Sequence, residues 1–288
     1  MNKIIPFNPD GQWTEPERAI PARISQYAVV DPKAQIENDV EIGPFCVIGP
    51  DVKIGRGSVL QNNVTITGRS TIGKNNRICA GVVIGNEPQD LSFRGSDTQV
   101  IIGDSNLIRE SVTINRASEK EEGITRVGSD CFIMANCHVA HDCSVGNHVV
   151  MASGVLLGGH VHIHDHVTIS GGVGVHHFAS VGKFAFIGAL SLVSQDIAPF
   201  ILAAGNPARP TCVNIVALKR RNFPSHVIRG LSDAHRLLYR SRVGLENARE
   251  ILDKDGALCA EVQHMLDFIQ SSADGRNGRS RDRRRHVA

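Results

Sequence analysis

The chain has 288 residues, 41% of them hydrophobic, which is enough for one large domain or two ordinary ones with a substantial core. Its formal charge of +2 hides an asymmetry: six of the 31 basic residues and one of the 29 acidic ones fall in 275–288, leaving 25 basic against 28 acidic in the body. The body is therefore no nucleic-acid binder by charge, no apolar run approaches the roughly 18 residues a membrane helix needs, and the N-terminus lacks the apolar stretch of a signal peptide. A cytoplasmic protein without an integral membrane segment is expected.

Residues 1–23 show no periodicity and are read as an N-terminal extension. From Ile24 an aliphatic residue opens every block of six as far as Ile84, making eleven hexads in one register. After a non-repetitive stretch that includes Pro88-Gln89-Asp90-Leu91, the pattern resumes at Ile102, Ile108 and Ile114. A polar insertion at 117–126 shifts it by one residue, and it then runs from Val127 to Val193 for twelve more hexads. The second position is often Gly, as expected where a chain turns a sharp corner every few residues. The fifth is small or β-branched, as at Val40, Cys46 and Ser58. A six-residue period with two inward positions excludes an α-helix and fits short strands coiled into a parallel β-helix over 24–212. Aromatics at 5% agree with a narrow interior. The pattern resembles the hexapeptide-repeat transferases, which implies a mainly β protein with a left-handed coil, three hexads per turn and a triangular section.

Beyond the coil, Ile228, Leu231, Ala234 and Leu238 recur at helical spacing, as do Leu245, Ala248 and Leu252, and then Val262, Met265, Leu266 and Ile269. Residues 213–270 are read as a C-terminal α-helical domain of two or three helices. Residues 271–288, rich in Ser, Gly, Asp and Arg, lack apolar residues to pack and are read as a disordered basic tail.

Four cysteines, Cys46, Cys131, Cys137 and Cys143, sit at the inward fifth position and are read as core. With no Cys-x-x-Cys and an odd count, neither a disulfide framework nor structural zinc is expected. In a coil of three hexads per turn, residues about 18 apart lie above one another, one layer of about 4.8 Å along the axis. His141, His160 and His176 or His177 therefore fall near one edge on successive layers, with His138 one step away. None of them occupies position one or five, so they are expected to project outward and to form a site. The run from His160 through His162 and His164 to His166 alternates outward as well, and no metal is needed to explain it.

Within the hexapeptide-repeat class, several segments resemble the acyl-ACP:UDP-N-acetylglucosamine O-acyltransferase family: Ile108-Arg-Glu-Ser-Val-Thr-Ile114, Asn136-Cys-His-Val-Ala-His-Asp-Cys143, Gly159-His160, Val175-His176, Val213-Asn214-Ile215 and Leu218-Lys-Arg-Arg221. Pro88-Gln89-Asp90-Leu91 matches too, and the likeness runs from about residue 24 to about 265. The resemblance implies transfer of a 3-hydroxyacyl chain from acyl carrier protein to the 3-position of a nucleotide sugar, the first step of lipid A synthesis. His141 is then the general base, since an imidazole is poised to take a hydroxyl proton at neutral pH. Asp142 supports it, and the Gly159 N–H meets the oxyanion. Gln89, Asp90, His138, His160, His176, His177, Asn214, Arg220 and Arg221 would bind the nucleotide sugar, and Ala189 would line the acyl groove near its far end. No cofactor is implied, because the acyl chain arrives on the phosphopantetheine of the carrier. A homotrimer is implied, and Lys219, Arg220, Arg221, Arg229, Arg236, Arg240 and Arg242 offer a surface for an acidic carrier.

Four positions depart from that family's pattern: Asn115 stands for His, Ser92 for Lys, His177 for Gln and Val216 for Glu. They bear on the acceptor and leave a 3-amino sugar nucleotide as an alternative. A metal lyase like the γ-carbonic anhydrases and a non-catalytic scaffold are the other readings the coil permits.

Overall fold

The computed structural model describes residues 20–276, 278 and 279. The expected extension as far as residue 19 and the tail from 280 lie outside the described residues. From Arg23–Ile24 to Leu192–Val193 the described chain forms 26 short strands, most of them two residues long. Each pairs in parallel with the third strand before and after it, so the strands sort into three sheets that are the faces of a left-handed, three-sided coil. The register is the hexad register: Ile24 sits opposite Ile42, Ile42 opposite Leu60 and Leu60 opposite Ile78, all 18 residues apart. Each layer hangs on the next by backbone bonds such as Val47 N–H to Val64 O and Thr65 N–H to Val82 O, both 2.9 Å.

Positions one and five fill the interior, and Ile48, Ile54, Ile66, Val64, Val82 and Cys46 are all buried. Burying each such aliphatic side chain stabilises the coil by about 1.5–3 kcal/mol relative to leaving it exposed. The cysteines behave as the pattern predicts, and Cys143 is so enclosed that burial pushes its thiol up to about 12. Two fifth positions hold buried asparagines instead. Asn106 donates to Gly103 O, Gly128 O and Asn76 Oδ1, and Asn76 donates to Gly103 O, so both side chains are spent on satisfying corner carbonyls between layers.

The corners are built differently from expectation. The left-handed backbone falls on position four, where Asp39, Asn63, Asp142, His160 and Phe178 all have φ near +60°. Asn and Asp tolerate that conformation through their short polar side chains, but a bulky residue there costs roughly 1–2 kcal/mol. Ring stacking from layer to layer offsets the cost. His160 lies flat on Phe178 at 4.3 Å, and His166 lies between His148 at 4.7 Å and Phe184 at 4.6 Å. The glycines at position two, Gly85 aside, keep ordinary φ values and serve close approach. A Cβ on Gly55 would stand 2.7 Å from the carbonyl carbon of Gly73 in the next layer.

Two segments leave the coil. Ile78 pairs with Ile108 and Ile108 with Ile133, separations of 30 and 25 where 18 is the rule, so loops at 87–98 and 116–123 interrupt the winding. They depart beside each other, because Val83–Asn86 pairs with Thr113–Asn115. At the far end an antiparallel hairpin, Ile201–Gly205 with Ala208–Val213, closes the stack. Four helices follow: α1 (Ile215–Arg220), α2 (Ser225–His235), extended by a π turn over Arg236–Arg240, α3 (Leu245–Lys254) and α4 (Ala260–Ala273). Leu218, Leu231, Ala234, Leu252 and Leu266 bury their side chains in the core that continues from the coil. The helical region thus outruns the expected boundary at 270. Part of the supposed tail is also ordered: Arg279 N–H bonds Asp196 Oδ1 at 3.1 Å, and its guanidinium reaches His176 Nδ1 at 2.8 Å.

Gly55→Ala is expected to destabilise the coil by about 1–3 kcal/mol, the usual cost of forced overpacking. Gly244→Ala, with nothing within 4 Å of its new methyl, is expected to lose only the modest preference for Gly over Ala at the N-cap of α3. Thermal midpoints of the two variants check this, and equal midpoints would contradict the close-approach role.

Candidate active site

One edge of the coil carries two adjacent columns. Position three holds His141, Gly159 and His177 on successive layers, and position four holds Asp142, His160 and Phe178. Sequence spacing alone brings them together, since each member stands 18 residues from the next. Backbone bonds lock the layers: His160 N–H donates to His141 O and Phe178 N–H to Gly159 O, both at 3.0 Å.

His141 Nδ1 lies 2.8 Å from Asp142 Oδ2. A carboxylate only accepts, so Nδ1 carries the proton and Nε2 keeps its lone pair. The same Oδ2 accepts Ser118 N–H at 3.0 Å and Ser118 Oγ–H at 2.6 Å, while Asp142 N–H donates to Thr125 Oγ1 at 2.9 Å. Burial by itself would raise the Asp142 pKa, but the bonds from His141 and Ser118 outweigh it and hold the carboxyl below its usual range. Asp142 is therefore an anion fixed beneath the imidazole. The neighbouring layer fixes the ring's other edge: a Cβ on Gly159 would stand 2.5 Å from His141 Cε1 and 2.7 Å from Nε2. Only glycine leaves space for the ring here. Among the described residues nothing accepts the Gly159 N–H.

The two loops wall this edge into a cleft of about 610 Å³ lined by Gln89, Asp90, Leu91, Lys120, His141 and Gly159, with His160, His177 and Phe178 at its back. Asn115 Nδ2 donates to Glu87 O, and Arg116 pairs with Glu87 and lies over the Phe93 ring, so the loops hold each other. Asp90 accepts from Ser92 N–H and Oγ–H at 2.9 and 2.8 Å and from Lys120 Nζ at 2.5 Å. Led by the Lys120 bond, these contacts pull its pKa far below the ordinary carboxylate value. Glu121 Oε1 stands 3.3 Å from His160 Nδ1.

Of the residues picked from the sequence, Gln89, Asp90, His141, Asp142, Gly159, His160 and His177 meet at this cleft. The others lie elsewhere on the chain. His138 is on the adjoining sheet face, 2.7 Å from Thr113 Oγ1, with its pKa lowered first by burial and then by His141. Asn214 is buried as the N-cap of α1 and donates to Phe184 O at 2.9 Å. Ala189 is exposed on another corner. Arg220 and Arg221 are exposed at the end of α1, and Arg221 lies near enough to His166 to help lower its pKa, after burial. His176 turns to Arg279.

The expectation that the four stacked histidines all project outward fails at His160, which is only 3% exposed because Phe178 covers it from the next layer. The alternation of the 160–166 run breaks for the same reason: His160 and His166 occupy stacked corners. His141, Asp142 and His160 do offer three ligand atoms within 4.8 Å of one another. Asp142 Oδ2 already accepts from His141 and Ser118, while its Oδ1 is buried without a hydrogen-bond partner among the described residues. Two departures also have structural explanations: Asn115 ties the loops together, and Ser92 caps Asp90. Val216 is 60% exposed on α1, away from the cleft.

Ser118, Lys120 and Glu121 were missed in the sequence. The available signal was the second interruption of the repeat, which has to leave the coil next to the first. Phe178 was findable as well, 18 residues after His160.

The lowered Asp142 pKa has a consequence for acid stability. Its stabilisation is present above the unfolded value near 3.9 and is lost as pH falls through that value toward the folded pKa. Thermal midpoints of wild type measured from pH 7 to 3 should therefore fall more steeply below pH 4 than those of Asp142→Asn. Parallel profiles would show that the carboxylate is not held as described.

The comparisons with known proteins agree with this geometry. A family model described as UDP N-acetylglucosamine O-acyltransferase, domain 2, matches residues 196–278, and one described as bacterial transferase hexapeptide matches 33–68 and 124–159. The chain is 42% identical over 254 residues to the acyl-[acyl-carrier-protein]–UDP-N-acetylglucosamine O-acyltransferase of Syntrophobacter fumaroxidans, covering 88% of this chain and 98% of that one. It is 43% identical to the protein of the same name from Thermodesulfovibrio yellowstonii, with the same coverage. Among solved structures it is similar to the UDP-N-acetylglucosamine acyltransferase of Francisella novicida, with TM-score 0.82, 39% identity and coverage of 86% and 91%. Sequence likeness across nearly the whole chain and a coil interrupted at its active edge lead to one assignment: the chain belongs to the acyl-ACP:UDP-N-acetylglucosamine O-acyltransferase family.

Proposed function

We propose that this protein transfers a 3-hydroxyacyl group from acyl carrier protein to the 3-hydroxyl of UDP-N-acetylglucosamine, the first step of lipid A synthesis, in the cytoplasm and without a resident cofactor. The observation that carries the reading is the Asp142–His141 pair at 2.8 Å, with Nε2 left as the acceptor in a cleft that Gly159 also lines. The sugar hydroxyl attacks the thioester carbonyl while Nε2 takes its proton. Asp142 stabilises the resulting imidazolium without itself taking the proton. Negative charge moves to the carbonyl oxygen, where the Gly159 N–H is placed to donate. Collapse of the intermediate breaks the carbon–sulfur bond, and the imidazolium returns the proton to the departing thiolate. No protein nucleophile is required, and the buried cysteines with raised pKa values, Cys131 at about 11 and Cys143 at about 12, are unsuited to be one.

Lys219, Arg220, Arg221, Arg229, Arg240 and Arg242 are exposed on the helical region and make a landing surface for an acidic carrier protein. We also propose that the working unit is a homotrimer. Val29, Val47, Leu156 and Leu192 all protrude from the nine-stranded sheet, an apolar stripe that suits burial against another copy. Ala189, Asn214, Arg220 and Arg221 lie outside the cleft of a single chain, which fits a site completed by a neighbour.

Incubation with 3-hydroxyacyl carrier proteins of several lengths, with UDP-N-acetylglucosamine and its 3-amino analogue in parallel, should give acyl-UDP-N-acetylglucosamine by mass spectrometry. His141→Ala should lose at least about 10²-fold in rate, the usual share of a general base. Wild-type protein that acylates only the amine would move the acceptor to the 3-amino sugar, and a fully active His141→Ala would remove His141 from its role.

A further inference from the structure

The cleft has a charge problem for the ligand proposed to fill it. Asp90 lines it, and two further carboxylates stand behind its lining, Asp142 bonded to His141 and Glu121 beside His160. A nucleotide sugar brings a diphosphate with about two further negative charges. Among the described residues lining the cleft, Lys120 is the only lysine or arginine. Arg116, on the same loop, is turned to Glu87 and the Phe93 ring.

Lys120 is placed by the second interruption of the coil, the 116–123 loop, which touches the site at three points within four residues. Ser118 holds Asp142, Glu121 faces His160, and Lys120 holds Asp90. Its side chain is 39% exposed, against 13% for that of Asp90. Asp90 is also held at its other oxygen by both the N–H and the hydroxyl of Ser92, so it does not depend on Lys120 alone to keep its orientation. An ion pair this exposed contributes at most about 1 kcal/mol to folding. Its position in the cleft therefore needs an explanation other than stability. An ammonium is a compact point charge with three donors and can bond a carboxylate and a phosphate oxygen together.

We propose that Lys120 is a specificity-determining binding residue: held at the cleft by Asp90, it takes the anionic diphosphate of the acceptor. The inference rests on the nucleotide-sugar reading of the site. Ser92, which cannot carry a positive charge, is already used in capping Asp90. The cation is thus brought to Asp90 from the opposite loop, and losing it would leave Asp90 facing a dianionic ligand with no lysine or arginine among the lining residues of its own chain.

The test is calorimetric binding of UDP to the full chain, which needs neither acyl donor nor turnover, followed by steady-state kinetics. Lys120→Met should weaken UDP binding about tenfold, the loss expected of one charge-assisted bond. In turnover the same variant should raise the KM for UDP-N-acetylglucosamine by a similar factor, with the loss falling on KM and not on kcat. Lys120→Arg, which keeps the charge, should bind UDP within about threefold of wild type. Lys120→Arg should keep the wild-type thermal midpoint, and Lys120→Met should lose only what a partly exposed ion pair contributes, about 1 kcal/mol or less, because Ser92 still holds Asp90. Wild type that binds UDP no more tightly than Lys120→Met would overturn the proposal while leaving the nucleotide-sugar reading intact. Lys120→Arg as weak as Lys120→Met would overturn it too, because charge is what it requires. Wild type that binds no UDP at all would instead remove the nucleotide-sugar reading and this inference with it.

Discussion

The backbone ladder between layers constrains everything else in this molecule. A residue that donates its N–H to the layer above, as Val47 does to Val64 O and Thr65 to Val82 O, fixes its own position relative to a residue 18 places along. Inward positions must then be filled at constant cross-section, which is why Ile and Val recur and rings are excluded from the interior. Where two layers touch, no Cβ fits, as at Gly55. At the left-handed corners the side chains stack into columns. The same ladder that stabilises the coil thus produces ordered rows of side chains along each edge.

The active edge uses that order twice. His141 and Gly159 share one column, so the residue facing His141 from the next layer must be the one that leaves its ring space. Asp142 and His160 share the next, so the anion that orients His141 sits under an imidazole enclosed by Phe178. Such precision would be difficult to obtain from mobile loops alone. What loops contribute is enclosure and charge. The two interruptions emerge from neighbouring layers, hold each other through Asn115 and Arg116, and bring Asp90, Lys120, Ser118 and Glu121 to the mouth and back of the cleft.

Much of this was legible in the sequence, because a coil with a fixed period converts sequence separation directly into spatial position. The 26 hexads correspond to the strands from Arg23 to Val193, and the gathering of His141, His160 and His177 follows from their spacing, while Gly159 is implied by the family resemblance. Other features depended on information that periodicity does not carry. The repeat suggests that the glycines at position two turn the corners, yet the positive φ falls two places later, on side chains whose stacking compensates the strain. His160 was expected on the surface because the cover supplied by Phe178 depends on ring geometry. Lys120 and Glu121 sit in a polar insertion with no period, so only the pairing of the two loop bases could locate them. The helical boundary and the docking of Arg279 on Asp196 and His176 are tertiary contacts that composition reads as a solvated tail.

The central claim is that stacking between layers, through Gly159, holds the His141 imidazole where it can accept a proton. Gly159→Ala tests this most directly, since the new methyl would fall 2.5 Å from Cε1 while removing no functional group. Measured beside UDP affinity, kcat for acyl transfer should fall by about 10² or more as the ring is displaced, with UDP binding retained. A Gly159→Ala enzyme that turns over at the wild-type rate would contradict the account, because the base would then not depend on the layer beneath it.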